Sequence, residues 1–198
     1  MKIFDISQEV FSCEVYSGDP SPKKEILSAI DNGDLYNLTA FSMCAHNGTH
    51  IDAPYHFINN GNTIDEITLE ATVGYAYIYE SNGLIDGKKA EKIIHKAKNI
   101  NLESAKRILL KGNLTVSEEA AEVFAREKIL LLGNESQTVG PIEAPIKVHN
   151  ILLSANVVLL EGIRLENIDE GVYFLSASPL LLKGADGSPC RAILIKDI

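Results

Sequence analysis

His46-Asn47-Gly48-Thr49-His50-Ile51-Asp52-Ala53-Pro54-Tyr55-His56 gathers three of the five histidines of a 198-residue chain into eleven residues. Side chains alternate along a strand, so an extended backbone puts His46, His50 and Asp52 on one face. Full extension also separates the α-carbons of His46 and His50 by about 13 Å, too far for both imidazoles to meet one ion. The segment must therefore bend. Gly48 is where a bend costs least, and Pro54 disfavours helix at Ala53, so His50 and His56 are presented from a bent strand and loop. A helical HExxH site is excluded, because the glutamate is absent and the backbone is wrong for it.

A strand leads into this segment over Leu38 to Ala45, in an N-terminal third rich in Asn, Gly, Asp and Pro. Farther on, Gly74 to Tyr79, Arg107 to Leu110, Ile129 to Leu132 and Val157 to Leu160 are short apolar runs bounded by polar residues or glycine. Such runs are expected of strands buried on both faces, with helices between them. Ala90, Ile93, Ile94 and Ala97 recur at i, i+3, i+4 and i+7, a helix whose lysines and His95 face water. Thr115-Val-Ser-Glu118 fits a capping box ahead of Ala120, Val123 and Phe124. Toward the end, strands are expected on either side of a turn at Gly184-Ala-Asp-Gly187, forming a hairpin. The alternation predicts an α/β fold. At 198 residues and 45% hydrophobic, one domain over residues 1–198 is expected.

Composition narrows the partners. A net charge of −9 and a pI near 5.0 repel nucleic acid and anionic lipid. No apolar run reaches the roughly 18 residues a membrane helix needs, and the first residues lack a signal-peptide pattern, so a cytoplasmic protein is expected. Cys13, Cys44 and Cys190 show neither CxxC spacing nor disulfide density and read as reduced thiols.

Neutral imidazoles beside a carboxylate suit Zn²⁺ or a similar divalent ion, and the lack of nearby cysteine favours an open, catalytic site over a structural one. Further ligands should come from distant parts of the chain. On a helix over about Pro145 to Ala155, Ile146, His149 and Leu153 share one face and turn the imidazole inward. Glu161 closes an apolar run, at the carboxyl end of a strand, where open α/β folds hold ligands.

The pattern H-x3-H-x-D-x3-H followed by H-x11-E resembles the metal-dependent cyclase family that contains bacterial kynurenine formamidase. Tyr16-Ser-Gly-Asp-Pro20 is similar to that family's aromatic-x-Gly-Asp segment, and Gly171-Val-Tyr through Arg191-Ala-Ile-Leu to its C-terminal strand pair. The resemblance implies a swivelling β/β/α architecture and a homodimer or higher homo-oligomer. It implies that His46 and His50 bind one metal, that Asp52 and Glu161 bridge two, and that His149 binds the second. His56 then moves protons, and Tyr16 contacts substrate. The implied activity is hydrolysis of a linear C–N amide by metal-activated water, with an arylformamide such as N-formylkynurenine as substrate and one or two Zn²⁺ or Mn²⁺ ions as cofactor. Two departures bear on substrate: Gly133-Asn-Glu-Ser-Gln-Thr-Val-Gly140 stands where formamidases have an Ile-Asp-Thr-x-Ser-like segment, and Tyr16 stands where they often have tryptophan. A cyclic amide, as in isatin hydrolases, is the alternative substrate class. A metal-binding protein without catalysis is the alternative of another kind.

Overall fold

The computed structural model describes residues 1–196. In chain order, strand β1 is Lys2–Asp5, β2 Lys23–Ser28, β3 Leu38–Ser42 and β4 His50–Asp52. Helix α1 (Leu69–Thr72) leads into β5 (Val73–Glu80), and β6 (Gly83–Ile85) precedes α2 (Gly87–Ile100). Strands β7 (Arg107–Lys111) and β8 (Leu114–Val116) come before α3 (Glu118–Arg126). Then come β9 (Leu131–Asn134), α4 (Ile146–Ser154), β10 (Val158–Glu161), β11 (Gly171–Ser176), β12 (Gly187–Pro189) and β13 (Ile193–Lys196).

Nine strands form one sheet in the order β1-β13-β11-β5-β7-β9-β10-β4-β12. The four central strands, β5, β7, β9 and β10, run parallel, and the strands on both wings pair antiparallel. Side-chain alternation sorts the apolar runs onto two cores. Ile108, Leu110, Leu132 and Leu159 face α2, α3 and α4, joining Ile93, Phe124, Val148 and Leu152. Leu109, Leu131, Val158 and Leu160 point the other way and meet Ile51, Leu175 and Leu194 from the wings. Strands from both ends of the order thus share one core, so the sheet curls over it, while helices cover the outer face. This is the mixed α/β architecture expected, and burial on both faces explains why the central strands lack polar alternation. Each fully buried Leu or Ile there contributes about 1.5–3 kcal/mol.

Several local expectations differ. The central strands end later than their apolar runs: β9 reaches Asn134, and β10 includes Glu161 as its last residue. Thr115 belongs to β8, which pairs with β6, so the cap of α3 is Ser117, whose side chain accepts from the Ala120 N–H. The strand at Leu38 stops at Ser42 and pairs only with β2, in a separate exposed ribbon; β4 is a distinct strand. On α4 the inward residues are Val148, His149, Leu152 and Leu153, whereas Ile146 is 58% exposed, since the face meeting the sheet is set nearer Val148.

The largest difference lies at the C-terminus. β11 and β13 do pair antiparallel, yet no tight turn joins them. Residues 177–192 leave that pair and lay β12 along β4, on the far edge of the sheet. Pro189 is tolerated there because an edge strand has one side without ladder bonds.

Candidate metal centre

Strand pairing assembles the centre. β4 lies antiparallel to β10 with His50 opposite Glu161 and Asp52 opposite Leu159. Opposed residues share a face, and Leu159 packs on the helix side, so His50, Asp52 and Glu161 all face the helices. Helix α4 packs over that side and turns His149 down onto the two carboxylates. His46 comes from the turn before β4, where Asn47 accepts the Cys44 N–H on its side chain at 2.8 Å and Gly48 bends the chain at φ 63°. His56 follows β4 in a single 3-10 turn over Pro54–His56, with Pro54 at its start.

Atoms able to hold a metal ion converge in two groups sharing Asp52: His46, His50 and Asp52 in one, Asp52, His149 and Glu161 in the other. Asp52 Oδ1 lies 2.7 Å from His46 Nδ1 and 3.3 Å from His50 Nε2, while Oδ2 lies 3.8 Å from His149 Nε2. Glu161 spans the same gap, with Oε2 3.6 Å from His50 Nε2 and Oε1 3.3 Å from His149 Nε2. His50, Asp52, His149 and Glu161 are each no more than 3% exposed. No lysine or arginine is paired with either carboxylate among the described residues.

Hydrogen bonds on the outer side of the rings fit this cluster to a cation. His50 Nδ1–H donates to the Gly48 carbonyl and His149 Nδ1–H to the Pro145 carbonyl, each at 2.9 Å. Each bond selects the tautomer whose Nε2 lone pair points inward, as ligand imidazoles require. The Val139 N–H donates to Glu161 Oε1 at 2.8 Å and fixes that carboxylate in turn. The donors present, nitrogen and carboxylate oxygen without thiolate, match Zn²⁺ and related first-row ions.

The carboxylates also shift the protonation of the imidazoles they face. Burial pulls His46 down, but the hydrogen bonds it donates to Asp186 and Asp52 outweigh it and push its pKa up to about 11. Burial likewise opposes ionisation of His149, and Glu161 raises it to about 9. Asp52 is held well below the usual carboxylate range by His46 and His50 despite its burial.

His56 lies beside the cluster and outside both groups. Its ring stacks on His46 at 4.0 Å between centroids and stands 4.5 Å from Phe57 and 6.5 Å from His149. Its side chain is 27% exposed, so this is the open side of the centre. Tyr16 is half-buried, and its hydroxyl donates to the Ile142 carbonyl at 3.3 Å.

One acidic residue at the centre was not expected. Asp186 Oδ2 lies 2.9 Å from His46 Nε2 and 3.3 Å from His56 Nδ1, and the three side chains form a third, more exposed group. Read as part of a hairpin turn, Asp186 stands 140 residues from His46 in sequence. Only the placement of β12 beside β4 brings it in, and a carboxylate between small residues was the sole sign of it.

Fold and cluster together define a mixed α/β protein with a buried imidazole–carboxylate centre of the kind that holds divalent metal. The Cyclase family model, described as "Putative cyclase", matches residues 4–141, and the chain belongs to that family. It is 32% identical over 205 residues to the kynurenine formamidase of Bacillus cereus, covering 96% of this chain and 95% of that one. Its fold matches "predicted metal-dependent hydrolase from Bacillus stearothermophilus" with a TM-score of 0.80 and 27% identity, over 98% of this chain and 97% of that one. Isatin hydrolase A from Labrenzia aggregata shares the fold at a TM-score of 0.82 with 21% identity, over 99% and 94% of the two chains.

Proposed function

We propose that this chain is a metal-dependent amide hydrolase acting on an arylformamide of the N-formylkynurenine type. The observation that carries the reading is the pair of ligand groups sharing Asp52, with an imidazole outside both, His56, stacked on their open side. In this reading His46, His50 and Asp52 hold one ion, and Asp52, His149 and Glu161 a second. The centre takes Zn²⁺, with Mn²⁺ as the alternative. A divalent ion bound there acidifies water and polarises a carbonyl.

The protein's own part is positioning and proton transfer. As the water oxygen bonds to the formyl carbon, His56 takes up the proton the water gives up; the C–N bond then breaks with its electron pair left on nitrogen, and His56 returns that proton there, giving formate and a free amine. His56 Nδ1 faces Asp186, so Nε2 is the atom free to carry that proton. Tyr16 supplies an aromatic surface for the aryl group.

Segment 133–140 favours a second reading, a cyclic amide. It departs from the formamidase pattern, and through Val139 it packs directly on Glu161, so the difference falls at the centre itself. Metal-reconstituted protein assayed on N-formylkynurenine and on isatin separates the two. Turnover of the formamide with little of isatin is expected; the reverse would replace the substrate assignment and keep the class.

We further infer a homo-oligomer, supported by the apolar residues of the β2–β3 ribbon: Ile26, Leu27, Leu38 and Phe41 are all 44% exposed or more. A cytoplasmic location is supported by three free cysteines. No helix among the described residues is long and apolar enough to cross a membrane.

A further inference from the structure

We infer that Asp186 is the positioning residue of this centre: one of its carboxylate oxygens fixes the tautomers of both His46 and His56, joining the metal site to the proton-transfer site. This rests on the reading of the cluster as a metal-dependent hydrolase.

Three observations carry it. First, Asp186 Oδ2 lies within hydrogen-bond reach of a nitrogen on each ring, His46 Nε2 at 2.9 Å and His56 Nδ1 at 3.3 Å. Second, the other nitrogen of His46, Nδ1, faces Asp52 Oδ1, the atom that also approaches His50. His46 is therefore the one ligand histidine whose outer nitrogen is held by a side chain; backbone carbonyls hold His50 and His149. A proton on His46 Nε2 leaves the Nδ1 lone pair for the ion, and a proton on His56 Nδ1 leaves Nε2 for the substrate. Third, the backbone around Asp186 is built to this approach. The Ala53 N–H donates to the Asp186 carbonyl at 2.9 Å, and Gly187 pairs with Asp52 across β12 and β4. A Cβ at Gly187 would stand 2.6 Å from His46 Cε1, so the strand carrying Asp186 comes this close to the ring only without a side chain there.

A carboxylate shared in this way also explains the stacking of the two rings at 4.0 Å: both edges are drawn to one oxygen. Because Asp186 is 43% exposed on its side chain, it borders the open side of the centre, where the substrate must enter.

The test uses zinc-loaded full-length protein, with Asp186→Ala and Asp186→Asn. Long-range ¹H–¹⁵N spectra of the imidazoles should show His46 protonated at Nε2 and His56 at Nδ1 in the unaltered protein. They should show both rings released to mixed tautomers in Asp186→Ala. Zinc affinity of Asp186→Ala should fall about 10–100-fold, the usual effect of losing a carboxylate that orients a ligand histidine. Turnover per bound zinc should fall about 100-fold in kcat at nearly constant KM. The amide of Asp186→Asn keeps an acceptor in the same place and should restore both tautomers and most of kcat. Unchanged tautomers in Asp186→Ala, kcat per zinc within threefold of the unaltered protein, or no recovery in Asp186→Asn would each overturn the inference. Should Asp186→Ala fail to fold, Asp186→Ser, whose shorter side chain reaches neither ring, takes its place in the same spectra and affinity measurements, with the same expected and contrary results. The tautomer and affinity measurements need no substrate, so a wrong substrate assignment leaves them standing.

Discussion

His56 stands 4.0 Å from the ring of His46 yet outside both groups that share Asp52, the placement on which its proposed role as the proton carrier rests. His56→Ala should lower turnover about 10²–10⁴-fold while leaving metal content unchanged, as measured by elemental analysis beside a rate assay. Loss of metal with proportionate activity per remaining ion would instead make His56 a ligand. His149→Ala should do the opposite and lower metal occupancy, because it removes an inward Nε2 that faces both Asp52 and Glu161; full occupancy would remove the second ion position. Much of this was legible at residue scale, since three histidines and an aspartate within eleven residues have few uses. His149 and Glu161 stand out by their helical and strand contexts, and the family resemblance joins them to the cluster. Asp186 was illegible because glycine on either side of Ala-Asp reads first as a turn, and nothing local ties it to histidines 130 and 140 residues earlier.

At the scale of elements, the three-residue strand β4 organises everything, lying between β10, which brings Glu161, and β12, which brings Asp186. Its approach depends on Gly48, at φ 63°, where a Cβ would lie 2.8 Å from Cys13 Cβ. Gly48→Ala should cost about 1–3 kcal/mol in urea denaturation and weaken metal binding through the His46 turn. Unchanged stability would show that the turn tolerates a side chain. Helix α2 and the central strands were readable because periodicity reports burial directly: Ala90, Ile93, Ile94 and Ala97 are all buried. Strand β12 was not, because Gly187-Ser-Pro189 on a sheet edge has no apolar alternation to read. The strand at Leu38 is legible and stands as β3, but its partner β2 is not, as the apolar residues of the ribbon face solvent rather than the core.

At the scale of the whole molecule, the centre links folding, protons and metal. The folded pKa values of His46 and His149, about 11 and 9, lie above their ordinary 6.5. A raised value contributes stability that is complete below 6.5 and is lost as pH climbs through 9 and 11. Asp52 and Asp186 are lowered, so their contribution is present above 3.8 and lost as pH falls. The cluster therefore supports the metal-free fold best between about pH 4 and 6.5. Metal displaces those protons, so the gain in Tm on adding zinc should grow as pH rises from 6.5 to 9. A gain that shrinks over that range would contradict these linkages.

The most direct test of the central claim is elemental analysis of protein purified without a histidine tag or chelator, coupled to amide hydrolysis before and after metal removal. The account predicts stoichiometric divalent metal, loss of turnover on chelation, and recovery in proportion to metal restored. Metal-free protein that hydrolyses its amide at the full rate would contradict it.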